Sequence, residues 1–173
     1  TQATNLKGGW VLPGFNDAHV HIDSTGALLV GVNLLAVHEP VAFRERIEAA
    51  TKRLPKGSWI TRGDWGAYEN WAAGSAGVLT PGSRTSGPFT PDRSLIDAIS
   101  PDHPVFVSRF DRSMYLANTK ALELAGLSAT TPVPQGGEIA RDVNGRLTGI
   151  IRGAAVELVR AAIPPTSPEE RLV

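Results

Sequence analysis

The chain has 173 residues, 42% of them hydrophobic, which is enough for a packed core at this size. Seventeen basic residues balance 17 acidic ones, so no net field favours binding to nucleic acid or to an anionic membrane. The lack of cysteine excludes disulfides and thiolate metal ligands, and a cytoplasmic location is the default expectation. We also find no apolar run of about 18 residues that predicts a membrane-spanning helix.

The first region, residues 1–54, predicts a strand, a connection and a helix. Pro40 suits the first turn of that helix, and Glu48 and Lys52 form a favourable i,i+4 pair on its exposed side. The apolar residues of the helix repeat at three- and four-residue spacing along one face: Phe43, Ile47, Ala50 and Leu54. The region is therefore typical of a strand followed by an amphipathic helix.

The second region, residues 55–153, predicts a small α+β unit. Residues 58–61 and 105–108 have the composition of short strands. A helix is expected from near Ser113 or Asn118 to Ala125, with Gly126 as its C-terminal stop. Residues 138–151 predict a β-hairpin, in which Asn144-Gly145 favours a type I′ turn.

A loop-like stretch and a C-terminal region complete the pattern. Residues 72–91 are rich in Gly, Ser and Pro, which predicts a mobile loop, with disorder favoured over a functional role. The third region, residues 154–173, predicts one helix, a break at Pro164-Pro165 and a second helix that begins near Ser167 and has no stop signal. Together with the absence of an initiator Met, this predicts a piece of a larger enzyme.

The strongest chemical signal is the pair His19-Val20-His21 at the end of an apolar run. On a strand, residues two apart point to the same face, with Cα atoms about 6.6 Å apart. Two imidazoles at that spacing converge on one metal ion, and Asp17 is placed to orient one of them from behind. The alternatives are a solvent-facing histidine pair and a strand-end hydrogen bond for Asp17.

The segment Val11–His21 resembles the signature of the amidohydrolase superfamily. Lys56–Trp65, Ser100–Arg109 and Gly136–Asp142 extend the resemblance to the branch that includes N-substituted formamide deformylase. The resemblance implies that His19 and His21 close the first strand of a (β/α)8 barrel and hold one or two divalent metal ions, with zinc expected and iron or manganese as alternatives. It also implies that residues 55–153 form an insertion that caps the mouth of the barrel.

The barrel is incomplete on this prediction, because a (β/α)8 barrel needs about 250 residues. By the resemblance, the missing ligands are a carboxylated lysine or glutamate and two histidines, together with an aspartate that acts on the water. His38 and His103 are predicted as surface or turn residues rather than as those ligands. The expected fold class is therefore α+β: the first strand and helix of a barrel plus an α+β insertion domain.

Several residues of the insertion are candidates for a substrate pocket. Trp65 and Trp71 supply aromatic surface, with core packing as the alternative. Arg109 and Asp111 fall where the family has Arg-x-Asp-Gly-His, with pairing between the two side chains as the alternative. Here Arg112 and Ser113 replace the Gly and the His of that pattern, which puts the substrate type and the activity in question.

These observations support two hypotheses about function. In the first, the chain is the N-terminal part of a metal-dependent amidohydrolase that cleaves an amide-like C–N bond of a small molecule and that needs the rest of its barrel, or another subunit, for activity. In the second, it is a non-catalytic α+β fragment or a degenerate homologue that packs against a partner. Dependence on a metal distinguishes the two.

Overall fold

The computed structural model describes residues 5, 7–10, 12–14, 26, 28–29, 31–67 and 89–165. Within these residues, five strands form one mixed sheet in the order β1-β2-β3-β5-β4. The strands are β1 (Ile60–Trp65), β2 (Val105–Arg109), β3 (Tyr115–Ala117), β4 (Gly137–Arg141) and β5 (Leu147–Gly153). Strands β1 and β2 are parallel, and the other neighbouring pairs are antiparallel.

Helices cover both faces of the sheet. Helix α1 (Pro40–Arg53) packs on one face, and the short helices α2 (Thr119–Leu124) and α3 (Val156–Arg160) pack on the other. Strand β2 alternates accordingly: Val105 and Val107 belong to the α1 side, and Phe106 belongs to the opposite side. All five residues of β2 are buried, as expected for a strand that is covered on both faces.

Helix α1 confirms the predicted amphipathic helix. It begins at Pro40 and buries Phe43, Ile47 and Ala50 against the sheet. The predicted Glu48–Lys52 pair forms on its exposed side, with Nζ and Oε1 2.7 Å apart. Helix α1 and the sheet share one hydrophobic core, so the first predicted region packs directly on the second. The region boundaries at residues 54 and 153 stay predictions.

Asn118 organises the start of α2 from a fully buried position. Its Oδ1 accepts hydrogen bonds from the amides of Val105 and Ala121, each at 2.9 Å. Its Nδ2 lies 2.8 Å from the carbonyl oxygen of His103 and 2.9 Å from Ser100 Oγ. The side chain thus caps the helix and ties it to the turn that precedes β2. Of the two predicted helix starts, the one at Asn118 is confirmed.

The hairpin of β4 and β5 is present, but the predicted type I′ turn is wrong. Such a turn requires a positive φ at both central residues, and only Gly145 has one, at 77°. The Gly145 amide donates to the Asp142 carbonyl, and the Asp142 amide donates to the Arg146 carbonyl. This is a three-residue loop that ends in a glycine bulge. Asp142 Oδ1 favours it by accepting from the amides of Asn144 and Arg146.

Strand β1 begins two residues later and extends four residues further than the predicted segment 58–61. The extension was not predicted because Gly63 and Asp64 are poor strand formers. Tertiary contacts supply the missing stability: the Leu34 amide donates to the Gly63 carbonyl at 2.8 Å, and Trp65 is fully buried.

Gly63 in β1 has little room for a side chain. A Cβ at this position would lie 2.7 Å from Leu34 Cδ1, and φ is +88°. We expect Gly63→Ala to lower the free energy of unfolding by about 1–3 kcal/mol more than Gly57→Ala. Urea unfolding of both variants measures the difference.

Gly57→Ala is the matched control, because Gly57 has φ +85° and open space around the added Cβ. The strain of a left-handed alanine is thus common to both variants. Equal losses of stability would contradict the prediction and would mean that Leu34 gives way without a penalty.

Candidate functional site

The parallel pairing of β1 and β2 brings their carboxyl ends to one edge of the sheet. Trp65 is the register partner of Arg109 at this end. Directly after β2, the Phe110 amide donates a hydrogen bond to the Trp65 carbonyl at 3.0 Å. Substrates of α/β proteins bind at the carboxyl ends of parallel strands. This edge is therefore the candidate site within the described residues.

The end of β1 has an unusual backbone. Arg62, Gly63 and Asp64 all have positive φ, at 65°, 88° and 56°. The register between β1 and β2 shifts in this interval, between Arg62 and Trp65. Left-handed conformations at residues other than glycine are energetically costly and persist only where the surroundings hold them.

A buried carboxylate lies at the centre of this bulge. The side chain of Asp64 is only 8% exposed, and its Oδ1 lies 2.8 Å from Arg112 Nη1. Ser108 Oγ donates to the same oxygen at 2.6 Å, and Arg112 Nη2 donates to Oδ2 at 3.2 Å. The carboxylate is thus balanced by one guanidinium and one hydroxyl group, as a buried charge requires.

The loop from Arg109 to Ser113 carries the second polar cluster. Asp111 Oδ2 accepts from Arg109 Nε at 3.1 Å, and Asp111 Oδ1 accepts from the amide and the hydroxyl of Ser113. Burial by itself would raise the pKa of Asp111. The hydrogen bonds from Ser113 and Arg109 outweigh that effect, so the pKa of this carboxyl is held below its usual value.

The predicted metal ligands His19 and His21 and their neighbour Asp17 lie outside the described residues. In the part of the chain that is described, no group of three or more His, Asp or Glu side chains is placed to hold a metal ion. His38 is exposed, as predicted, with Nδ1 3.0 Å from the Ala36 carbonyl. His103 lies in the turn before β2, one of the two positions predicted for it, and its ring is buried with Nδ1 3.1 Å from the Ser58 carbonyl.

Comparison with known proteins decides the family. The sequence profile described as the amidohydrolase family matches residues 2–172. The chain belongs to the amidohydrolase family. The matched range includes the histidine pair and the whole described sheet.

Three relatives of this amidohydrolase chain align along almost its entire length. It is 36% identical to protein LONG AFTER FAR-RED 3 of Arabidopsis thaliana, with 99% of the chain and 27% of the relative covered. It is 31% identical to the amidohydrolase YtcJ of Bacillus subtilis (strain 168), at 96% and 29% coverage. It is 30% identical to N-substituted formamide deformylase of Arthrobacter pascens, at 93% and 27% coverage. The chain therefore spans less than a third of the length of these relatives.

A solved structure agrees at the level of the fold. The crystal structure of an uncharacterized metal-dependent hydrolase from Pyrococcus horikoshii OT3 superposes with a TM-score of 0.50 at 24% identity. It covers 91% of this chain and 24% of that one. Within the described residues, we find no helix that is both long and apolar enough to span a membrane.

The structure places the predicted pocket residues of the amidohydrolase chain at different depths. Trp65 is fully buried, and its ring packs edge-to-face on Phe43 with the centroids 5.7 Å apart. This is the core packing that the sequence left open as the alternative. Arg109 is nearly buried and forms an ion pair with Asp111, the alternative foreseen for both residues. Trp71 lies outside the described residues.

Two residues of this edge were missed by the sequence analysis. Asp64 and Ser108 are buried partners of Arg112. Both lie in segments that resemble the family, but neither was singled out as a site residue. A sequence signal existed for Asp64, because a Gly-Asp pair between strand-forming residues is typical of a bulge. No comparable signal marked Ser108, whose position follows from the register of β2.

We expect Ser113→Ala to raise the pKa of Asp111 toward its ordinary value, because the variant removes one of the hydrogen bonds to the charged carboxylate. A lowered pKa in the folded state stabilises the fold above the unfolded-state pKa, and this contribution is lost as the pH falls through the folded-state value. The acid side of the stability profile therefore moves to higher pH in the variant. NMR titration of the carboxyl carbon measures the pKa directly.

Ser128→Ala is the control for this titration, since Ser128 is an exposed serine whose hydroxyl group contacts Thr130 and Thr131 of its own turn. An unchanged pKa of Asp111 in Ser113→Ala would show that the hydroxyl of Ser113 does not stabilise the carboxylate.

Proposed function

We propose that the protein is a metal-dependent hydrolase that cleaves an amide-like C–N bond of a small molecule. The observation that carries this proposal is the pair His19-Val20-His21 inside the range matched by the amidohydrolase family. The names of two relatives, an amidohydrolase and an N-substituted formamide deformylase, point to the same reaction class. We further propose a cytoplasmic location and no binding to nucleic acid or to a membrane.

His19 and His21 are the proposed ligands for the metal, as neutral imidazoles from one strand, and Asp17 orients one of them. Paired imidazoles suit zinc and iron. Zinc is the first expectation, with iron or manganese as the alternatives. The rest of the barrel or another subunit would supply the remaining ligands for one or two ions. A divalent ion there would polarise the scissile carbonyl and make a water molecule acidic enough to attack near neutral pH.

The described residues have a separate role in this proposal. The insertion of residues 55–153 presents the carboxyl edge of β1 and β2 toward the mouth of a (β/α)8 barrel. At that edge, Arg109 and Asp111 contact the polar part of the substrate. Because the two side chains form an ion pair with each other, the guanidinium is fixed in direction before a substrate arrives.

Elemental analysis of the purified protein tests the metal site. We expect zinc, iron or manganese in the wild-type protein and a loss of at least about tenfold in the His19→Ala/His21→Ala double variant. His38→Ala is the matched control, because this histidine is exposed and lies outside the motif. If the natural protein is longer than 173 residues, the same variants are measured in the whole of it.

Hydrolysis of an N-substituted formamide to formate and an amine tests the reaction class. The wild-type protein and His38→Ala should release formate, and the double variant should not. The proposal would be refuted if the three proteins had equal metal content and none of them hydrolysed an amide. The chain would then be a non-catalytic fragment or degenerate homologue that packs against a partner.

A further inference from the structure

Two left-handed segments face each other at the carboxyl edge of the β1–β2 pair. The first is the run Arg62–Asp64 in β1, and the second is Arg112, with φ 60°, in the loop between β2 and β3. Glycine adopts such a conformation without strain, whereas arginine and aspartate do not. The structure therefore keeps two strained residues, Asp64 and Arg112, in direct contact with each other.

The contact between the two segments is a fork of hydrogen bonds. Arg112 Nη1 lies 2.8 Å from Asp64 Oδ1 and donates to Ser108 Oγ at 2.6 Å, and Arg112 Nη2 donates to Asp64 Oδ2 at 3.2 Å. The guanidinium side chain is 48% exposed, while the carboxylate beneath it is 8% exposed. A planar guanidinium can contact both carboxylate oxygens at once, which a lysine ammonium cannot do with the same geometry.

The same loop carries the two polar residues of the candidate site. Its own turn is closed by the Arg112 amide, which donates to the Arg109 carbonyl at 3.0 Å. The loop contacts the end of β1 through the hydrogen bond from the Phe110 amide to the Trp65 carbonyl and through the Arg112–Asp64 ion pair. Arg109 is held in β2 by its pairing with Trp65, whereas Asp111 lies in the loop between these two contacts and its carboxylate accepts from Arg109 Nε. The direction of the Asp111 and Arg109 side chains therefore depends in part on Arg112.

We propose that Arg112 is a positioning residue, whose ion pair with Asp64 anchors residues 109–113 to the end of β1 and thereby fixes Arg109 and Asp111 at the candidate site. The assignment of that edge to the substrate rests on the proposed function, whereas the anchoring itself does not. A glycine at position 112 would form the turn without strain. The arginine adds an ion pair between the loop and β1, although its backbone conformation is strained.

Hydrogen–deuterium exchange of the backbone amides, on the full chain, tests the anchor. We expect the backbone amides of residues 110 and 112 to exchange about tenfold faster in Arg112→Gly and in Asp64→Asn than in the wild-type protein. The reason is that the loop opens more often once the hydrogen bonds between the guanidinium and the carboxylate are lost. Arg112→Lys keeps the charge without the fork and should give an intermediate rate. Arg146→Gly is the control, since Arg146 is exposed on the other hairpin.

The double variant separates the ion pair from the backbone strain. In the Asp64→Asn background, Arg112→Gly removes no ion pair and relieves the left-handed strain. Its effect on exchange there should be at least about threefold smaller than in the wild-type background. An equal effect in both backgrounds, or unchanged exchange in both single variants, would overturn the proposal. Arg112→Lys provides the same test if a glycine or asparagine variant fails to fold.

The catalytic consequence is measured separately from the metal site. With hydrolysis established in the wild-type protein, Arg112→Gly should lower kcat/KM by about tenfold at an unchanged metal content, and Arg112→Lys should restore part of it. An unchanged kcat/KM would overturn the positioning role even if exchange rises. Failure of the proposed function has a different signature, because the wild-type protein and Arg146→Gly would then be inactive as well.

Discussion

The parallel pairing of β1 with β2 is the constraint on which the rest of this structure depends. Parallel neighbours need a long crossover, and both faces of such a pair must be covered. Helix α1 covers one face and α2 and α3 the other, which is why every residue of β2 is buried. The pairing also places two loop segments at one edge, where a polar site forms above an apolar core.

The two ion pairs at that edge make its buried charges tolerable. The buried carboxylate of Asp64 is paired with Arg112 and Ser108, and Arg109 is paired with Asp111. Removing one member of such a set leaves a desolvated charge, which is more destabilising than the intact set is stabilising. The left-handed residues of the bulge are stable for the same reason, since the contacts around them exclude other conformations.

Local patterns predicted much of the fold. The helix over 40–53, the cap at Asn118 and the hairpin after residue 137 all follow from interactions between residues close in sequence. The prediction was less accurate where distant residues decide. Strand β1 extends to Trp65 because Leu34 and β2 supply its hydrogen bonds, and the hairpin takes a glycine bulge because Asp142 caps it.

The sequence by itself determined the amidohydrolase family and the histidine pair His19-Val20-His21, because a short motif carries its chemistry in residue type and spacing. Only the tertiary structure decided that Trp65 belongs to the core, that His103 is buried and that Arg112 meets Asp64. The contacts of His103 with Ser58 and of Arg112 with Asp64 join residues more than 40 positions apart, and Trp65 packs on Phe43, which lies 22 positions earlier. Their contact depends on strand register and on the layering of helices over the sheet, and neither is encoded in any one segment.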